Sequence, residues 1–120
     1  MSNVATRFSG QGSTVLDASG NGVVAFAPRG TRWHLDFVSV KCTTRVKEAT
    51  VRIYEGYVGD QYYTDGTFSG SSGDTSNTEH YMEDGETIHI VWTGGDPGAR
   101  ATAIIRGWES VQGGGFRAVQ

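Results

Sequence analysis

Residues 86–108 constrain the fold more than any other stretch of this chain. Ile88, Ile90 and Trp92 alternate with Thr87, His89 and Val91. After Gly94-Gly95-Asp96-Pro97-Gly98, Ala101, Ala103 and Ile105 alternate with Arg100, Thr102, Ile104 and Arg106. Period-two alternation on both sides of a Gly/Asp/Pro cluster predicts two strands, each burying one face, joined as a β-hairpin. Pairing Trp92 with Ala101 sets Ile90 opposite Ala103 and Ile88 opposite Ile105, so that large meets small. A slip of one residue would bring Arg100 and Arg106 beside the tryptophan, and burying an unpaired charge costs several kcal/mol.

The rest of the chain follows the same grammar. Eight strands are predicted, at about 13–17, 22–28, 32–42, 49–57, 66–70, 76–82, 86–93 and 100–109. Their separators are turn chemistry: Ser19-Gly20-Asn21-Gly22, Pro28-Arg29-Gly30, Gly59-Asp60, Asp65-Gly66 and Asp84-Gly85. Eighteen glycines against two prolines suit many turns that need positive φ. The expected fold is an all-β antiparallel sandwich, jelly-roll-like, although an immunoglobulin-like strand order fits the same pattern. The third segment changes phase. Trp33, Leu35 and Phe37 share one parity, whereas Val38, Val40 and Cys42 share the other. A β-bulge near Phe37-Val38 would keep both sets inward; alternatively both faces are covered, one of them by another chain.

At 120 residues the chain is expected to form one domain, at 13–110, flanked by arms at 1–12 and 111–120. The first arm is polar and includes Phe8. The second runs through Gly113-Gly114-Gly115 to Phe116 and Val119. The N-terminus does not read as a signal peptide, and no apolar run approaches a membrane span. These features predict a soluble protein made in a cytoplasm. A net charge of −3 with scattered basic residues argues against nucleic-acid partners. Cys42 is the only cysteine, which rules out an intrachain disulfide; it falls on an apolar parity and reads as core.

No catalytic or cofactor motif emerges. His34, His80 and His89 have no metal-ligand spacing and read as surface residues. Asp60, Asp65, Asp74, Asp84 and Asp96 lie beside or near glycines. This raises a calcium question, but Asp-Gly is also ordinary turn chemistry and no EF-hand spacing occurs. Trp33 and Trp92 read as core. Tyr54, Tyr57, Tyr62, Tyr63 and Trp108 fall on the opposite parity or in loops, where they would serve an interface or stack on sugars. Tyr62 and Tyr63, beside Asp60 and Asp65, are the candidate sugar contacts. Phe8, Tyr54, Trp108, Phe116 and Val119 are the candidate assembly contacts.

Five segments carry a resemblance: 32–40, 49–56, Asp65-Gly66-Thr67-Phe68-Ser69-Gly70, Glu83-Asp84-Gly85-Glu86, and Val91-Trp92-Thr93-Gly94-Gly95-Asp96-Pro97-Gly98-Ala99. Together they resemble small β-sandwich virion proteins of tailed bacteriophages of actinobacteria, over about 32–107. The resemblance implies a non-enzymatic structural role without cofactors. The expected placement is the capsid surface, as a decoration protein bound to the major capsid protein and to copies of itself, with a trimer as the first guess. A tail or head–tail connector component is the alternative placement. A carbohydrate-binding module, with or without calcium dependence, is the rival from another class.

Overall fold

A strand that changes phase halfway needs an extra residue, and the third strand supplies one. The computed structural model describes residues 5–67 and 74–111. Its strands are β1 Thr6–Val15, β2 Gly22–Phe26, β3 Thr31–Cys42, β4 Thr50–Glu55, β5 Tyr63–Thr67, β6 Asp74–Ser76, β7 His80–Met82, β8 Ile88–Thr93 and β9 Arg100–Val111. A 3-10 turn, Asp60–Tyr62, precedes β5. Along β3 the pairing with β9 runs Leu35 to Gly107 and then Phe37 to Arg106, leaving Asp36 as the bulge. Trp33 and Leu35 therefore point inward before it, and Val38, Val40 and Cys42 after it. Phe37 is turned to the outer face, where Arg106 lies 4.7 Å from its ring centroid.

Two antiparallel sheets face each other. One has the order β1-β9-β3-β6, with β7 also on β3; the other has the order β2-β8-β4-β5. β7 pairs with residues 33–35 of β3 and β6 with residues 38–40, so the break between them falls opposite the bulge. Counted as one interrupted edge strand, β6 and β7 complete a nested set of pairs: β1 with β9, β2 with β8, β3 with β6/β7, and β4 with β5. This nesting, rolled into two sheets, is the jelly roll.

Two expectations are corrected here. First, residues 86–108 do not form a hairpin. β8 lies in one sheet between β2 and β4, and β9 lies in the other between β1 and β3. Trp92 pairs with Gly22 and Val51, whereas Ala101 pairs with Thr14 and Cys42. The inward parities hold, since Ile88, Ile90, Trp92, Ala101, Ala103 and Ile105 are all fully buried.

Second, residues 6–12 are not an arm. They form most of β1, paired in unbroken register from Thr6–Glu109 to Val15–Arg100. Their inward positions are Phe8, Gly10, Gly12 and Thr14, so the buried face carries too little apolar bulk to show as alternation. The glycines make room for the opposite sheet: a Cβ on Gly12 would lie 2.8 Å from Val24 Cγ1. Phe8 packs partly buried on the core, its ring centroid 5.0 Å from that of Trp33. Beyond Val111 the predicted C-terminal arm, with Phe116 and Val119, lies outside the described residues.

The bulge brings two backbones together tightly. A Cβ on Gly107 would lie 2.2 Å from the carbonyl oxygen of His34 and 2.7 Å from Leu35 Cα. Neither contact can be relieved by turning a side chain. Gly107→Ala is expected to cost about 3 kcal/mol, at the upper end of overpacking penalties. Gly59→Ala, whose added Cβ meets only a Tyr62 ring atom at 3.8 Å, should stay within about 0.5 kcal/mol of the parent. Urea unfolding of both variants is the check; equal midpoints would refute the close approach.

Candidate functional site

Strand parity puts one set of side chains on the outer face of the β1-β9-β3 sheet. Arg7 on β1 pairs with Trp108 on β9, Trp108 with His34 on β3, and His34 with Tyr81 on β7. These four residues form a lateral row across the sheet. Tyr81 is 68% exposed and Trp108 is 42% exposed, yet each is braced. The Arg7 guanidinium sits 5.4 Å from the Trp108 ring centroid and reaches over β9 to bond Asp36 at 2.8 Å. His34 and Tyr81 stack with ring centroids 4.3 Å apart and planes 14° from parallel.

One carboxylate locks that stack. Glu79 Oε1 lies 2.6 Å from His34 Nε2 and accepts the Tyr81 hydroxyl at 3.0 Å. The bond from His34, followed by that from Tyr81, holds the Glu79 carboxyl below its usual range, and the same carboxylate pushes the Tyr81 phenol up. Asp36 is likewise held down, chiefly by its bond to Arg7. Beside the row runs a groove of about 410 Å3, whose lining includes Arg32, Trp33, His34, Tyr81, Glu83 and Trp108. Arg32 Nε donates to Glu83 Oε1 at 3.1 Å.

The other candidates are distributed differently. Tyr54, expected as an assembly contact, is buried: β4 runs in unbroken register with β8, the surplus residue of the β4–β5 ladder is Thr64 in β5, and the Tyr63 ring lies against Tyr54. Tyr62 and Tyr63 do not form one platform. Tyr62 packs edge-on against Tyr57 at 5.4 Å, and Tyr63 packs edge-on against Tyr54 at 6.0 Å. Adjacent residues at the start of a strand point to opposite sides. Trp108 is exposed as expected and lines the groove.

The histidines also divide. His34 is on the outer face, and His89 is partly buried with Nε2–H donating to the Gly56 carbonyl at 3.0 Å. His80, expected at the surface, is fully buried. It shares the inward parity of Met82, its Nδ1 lies 2.5 Å from Glu55 Oε2, and its Nε2 has no partner among the described residues. An ionised carboxylate only accepts, so Nδ1 carries the proton of this bond. The parity shared with Met82 was the sequence signal for this burial.

The turn aspartates hold loops together. Asp17 accepts the Ser19 and Asn21 amides at 2.9 and 3.0 Å, and Asp84 accepts the Gly30 amide at 2.8 Å. Asp65 bonds Ser76, Thr78 and the Gly66 amide; burial pushes its carboxyl up, but these bonds outweigh it and the net shift is downward. The side chains of Asp60 and Asp74 lie outside the described residues. Among the described residues, no group of three or more His, Cys, Asp or Glu side chains is arranged to hold a metal ion.

Asp96 is the most heavily bonded. It accepts the amides of Arg45, Val46 and Lys47 at 2.7, 3.0 and 2.8 Å, while its own amide donates to Thr44 Oγ1 at 2.9 Å. Those three amides lower its carboxyl to about 2. The glycines around it complete the weld. Gly95 N donates to Gly20 O at 3.0 Å, and Gly98 N donates to Leu16 O at 2.9 Å. The Gly94–Ala99 loop thus ties three turns at one end of the sandwich.

No protein-family model matches the chain, and no curated protein matches it.

A carboxyl whose folded pKa is depressed stabilises the fold above its unfolded pKa and loses that contribution as pH falls. The Asp96 contribution should therefore be complete above pH 3.8 and fade as pH drops towards about 2. Asp96→Asn is expected to lower the melting temperature at pH 7 and to narrow its gap from wild type in that acid window. Thermal melts from pH 2 to 7 test this; a gap independent of pH would contradict it.

Proposed function

We propose that the chain is a non-enzymatic structural protein of a bacteriophage virion: a capsid decoration protein on the outer shell that bridges major capsid subunits and contacts copies of itself. The observation that carries the reading is the β1 edge. β1 ends its sheet with ten residues in unbroken register, without proline, bulge or any charge after Arg7. Its outward residues Ser9, Gln11 and Ser13 are small or polar and exposed. Among the described residues, no strand pairs on its outer side. Strands of this kind are templates for added strands, and stand-alone proteins blunt them with charge, proline or bulges. A long unprotected edge suits a protein that meets its partner by strand addition.

The resemblance over 32–107 points the same way. So does the use of the turn aspartates, which are engaged by the chain's own loops rather than gathered in a cleft. In this reading the edge strand takes the part that the sequence suggested for an N-terminal arm.

The test uses purified protein and pre-formed capsids lacking it. Wild type should co-sediment with the capsids and raise their resistance to heat and low salt. A Ser9→Lys/Gln11→Lys variant, altered only at exposed positions, should fold normally yet bind at least about tenfold more weakly. Absence of wild-type binding would remove the capsid reading. Full binding by the double variant would remove the role of the edge.

A further inference from the structure

We propose that the groove between Trp108 and the His34–Tyr81 stack is a saccharide site that takes neutral pyranose rings. This goes beyond the assembly reading and does not depend on it, since it uses the outer face of the sheet rather than its edge.

Three observations lead there. The first is shape and lining. The groove encloses about 410 Å3, within the roughly 300–1,000 Å3 of small-ligand sites, and aromatic rings line it from neighbouring strands. The C–H face of a pyranose packs on such rings, and its hydroxyls need polar neighbours, which Glu83, Arg32 and Ser110 provide along the same walls.

The second is charge. The two basic side chains that line the groove each lie against a carboxylate: Arg32 against Glu83 at 3.1 Å, and His34 against Glu79 at 2.6 Å. Arg7, which braces Trp108 from outside the groove, is likewise paired, with Asp36 at 2.8 Å. A phosphate, nucleic acid or acidic sugar would have to compete with these carboxylates. An uncharged polyhydroxylated ligand does not, and it can bond to donors and acceptors already fixed in place.

The third is rigidity. Exposed aromatic side chains ordinarily lose rotamer freedom on binding, which weakens affinity. Here Tyr81 is tied through its hydroxyl to Glu79 and stacked on His34, and Trp108 is held beneath Arg7. The fold has fixed these rings before any ligand arrives, although their exposure adds little to the core.

The full-length chain should be applied to an array of neutral and acidic oligosaccharides, and hits titrated by tryptophan fluorescence. Trp92 is fully buried in the core, so a ligand in the groove reports through Trp108 and Trp33, which both line it. Wild type is expected to bind neutral glycans. Trp108→Ala and Tyr81→Ala, both at exposed positions, should weaken binding about tenfold or more while leaving the melting temperature near wild type. Tyr57→Ala, at an exposed tyrosine outside the groove, should bind normally, as should Ser9→Lys/Gln11→Lys on the β1 edge. A blank array, preference for acidic glycans, or binding indifferent to both groove variants would overturn the proposal. So would capsid binding that disappears in Trp108→Ala while the array stays blank, because the groove would then belong to a protein partner.

Discussion

One surplus residue in β3 organises this jelly roll. Without Asp36 a strand of twelve residues would bury either Trp33 and Leu35 or Val38, Val40 and Cys42, but not both sets. Inserting it resets the parity, and both halves reach the core. The insertion requires a partner without a side chain, and Gly107 meets the need against His34 and Leu35. The same kink divides the adjacent edge into β6 and β7. It also leaves the Asp36 carboxylate where Arg7 reaches it across β9. The core, the split edge and the bracing of Trp108 all follow from one irregularity.

Glycine serves two distinct purposes in the rest of the molecule. In β1 it permits close packing between layers, because Gly10 and Gly12 leave space that Phe26 and Val24 use from the opposite sheet. In the turns it permits geometry. Gly20 has a φ of 78°, and a Cβ there would sit 2.0 Å from the Gly95 carbonyl oxygen. Two loops distant in sequence therefore touch backbone to backbone, and Asp96 gathers a third through three amides. At this end of the sandwich hydrogen bonds between loops join the packing of Leu16, Ala49 and Ala99.

The outer face of the β1-β9-β3 sheet follows a different logic. Its aromatic rings stay in solvent beside three pairs, Arg7–Asp36, Arg32–Glu83 and His34–Glu79. Surface ion pairs contribute little to stability, typically about 0–1 kcal/mol each. What they do here is set orientation: Glu79 fixes a histidine and a tyrosine in one stack, and Arg7 lies over Trp108. A surface arranged in this way is ready for contact, and it stands apart from the unprotected β1 edge that supports the assembly reading.

Alternation alone determined the class of fold and the inward faces of β8 and β9. The phase change alone narrowed β3 to a bulge or to burial on both faces, and the pairing with β9 shows the bulge. Both are local properties, because a strand's side-chain period is set by its own backbone. The sequence also marked Trp108 as exposed. It did not reveal β1, whose inward face is half glycine, nor the burial of Tyr54, against which Tyr63 of β5 packs. Only the tertiary structure decided which strands are neighbours. Residues 86–108 show why: two strands with inward apolar faces look the same in sequence whether they pair edge to edge or face each other across a core. The choice rests on hydrogen bonds to β1, β2, β3 and β4, all distant along the chain. The groove has the same origin, since Trp108, His34 and Tyr81 come from three strands that meet only when the sheet is assembled.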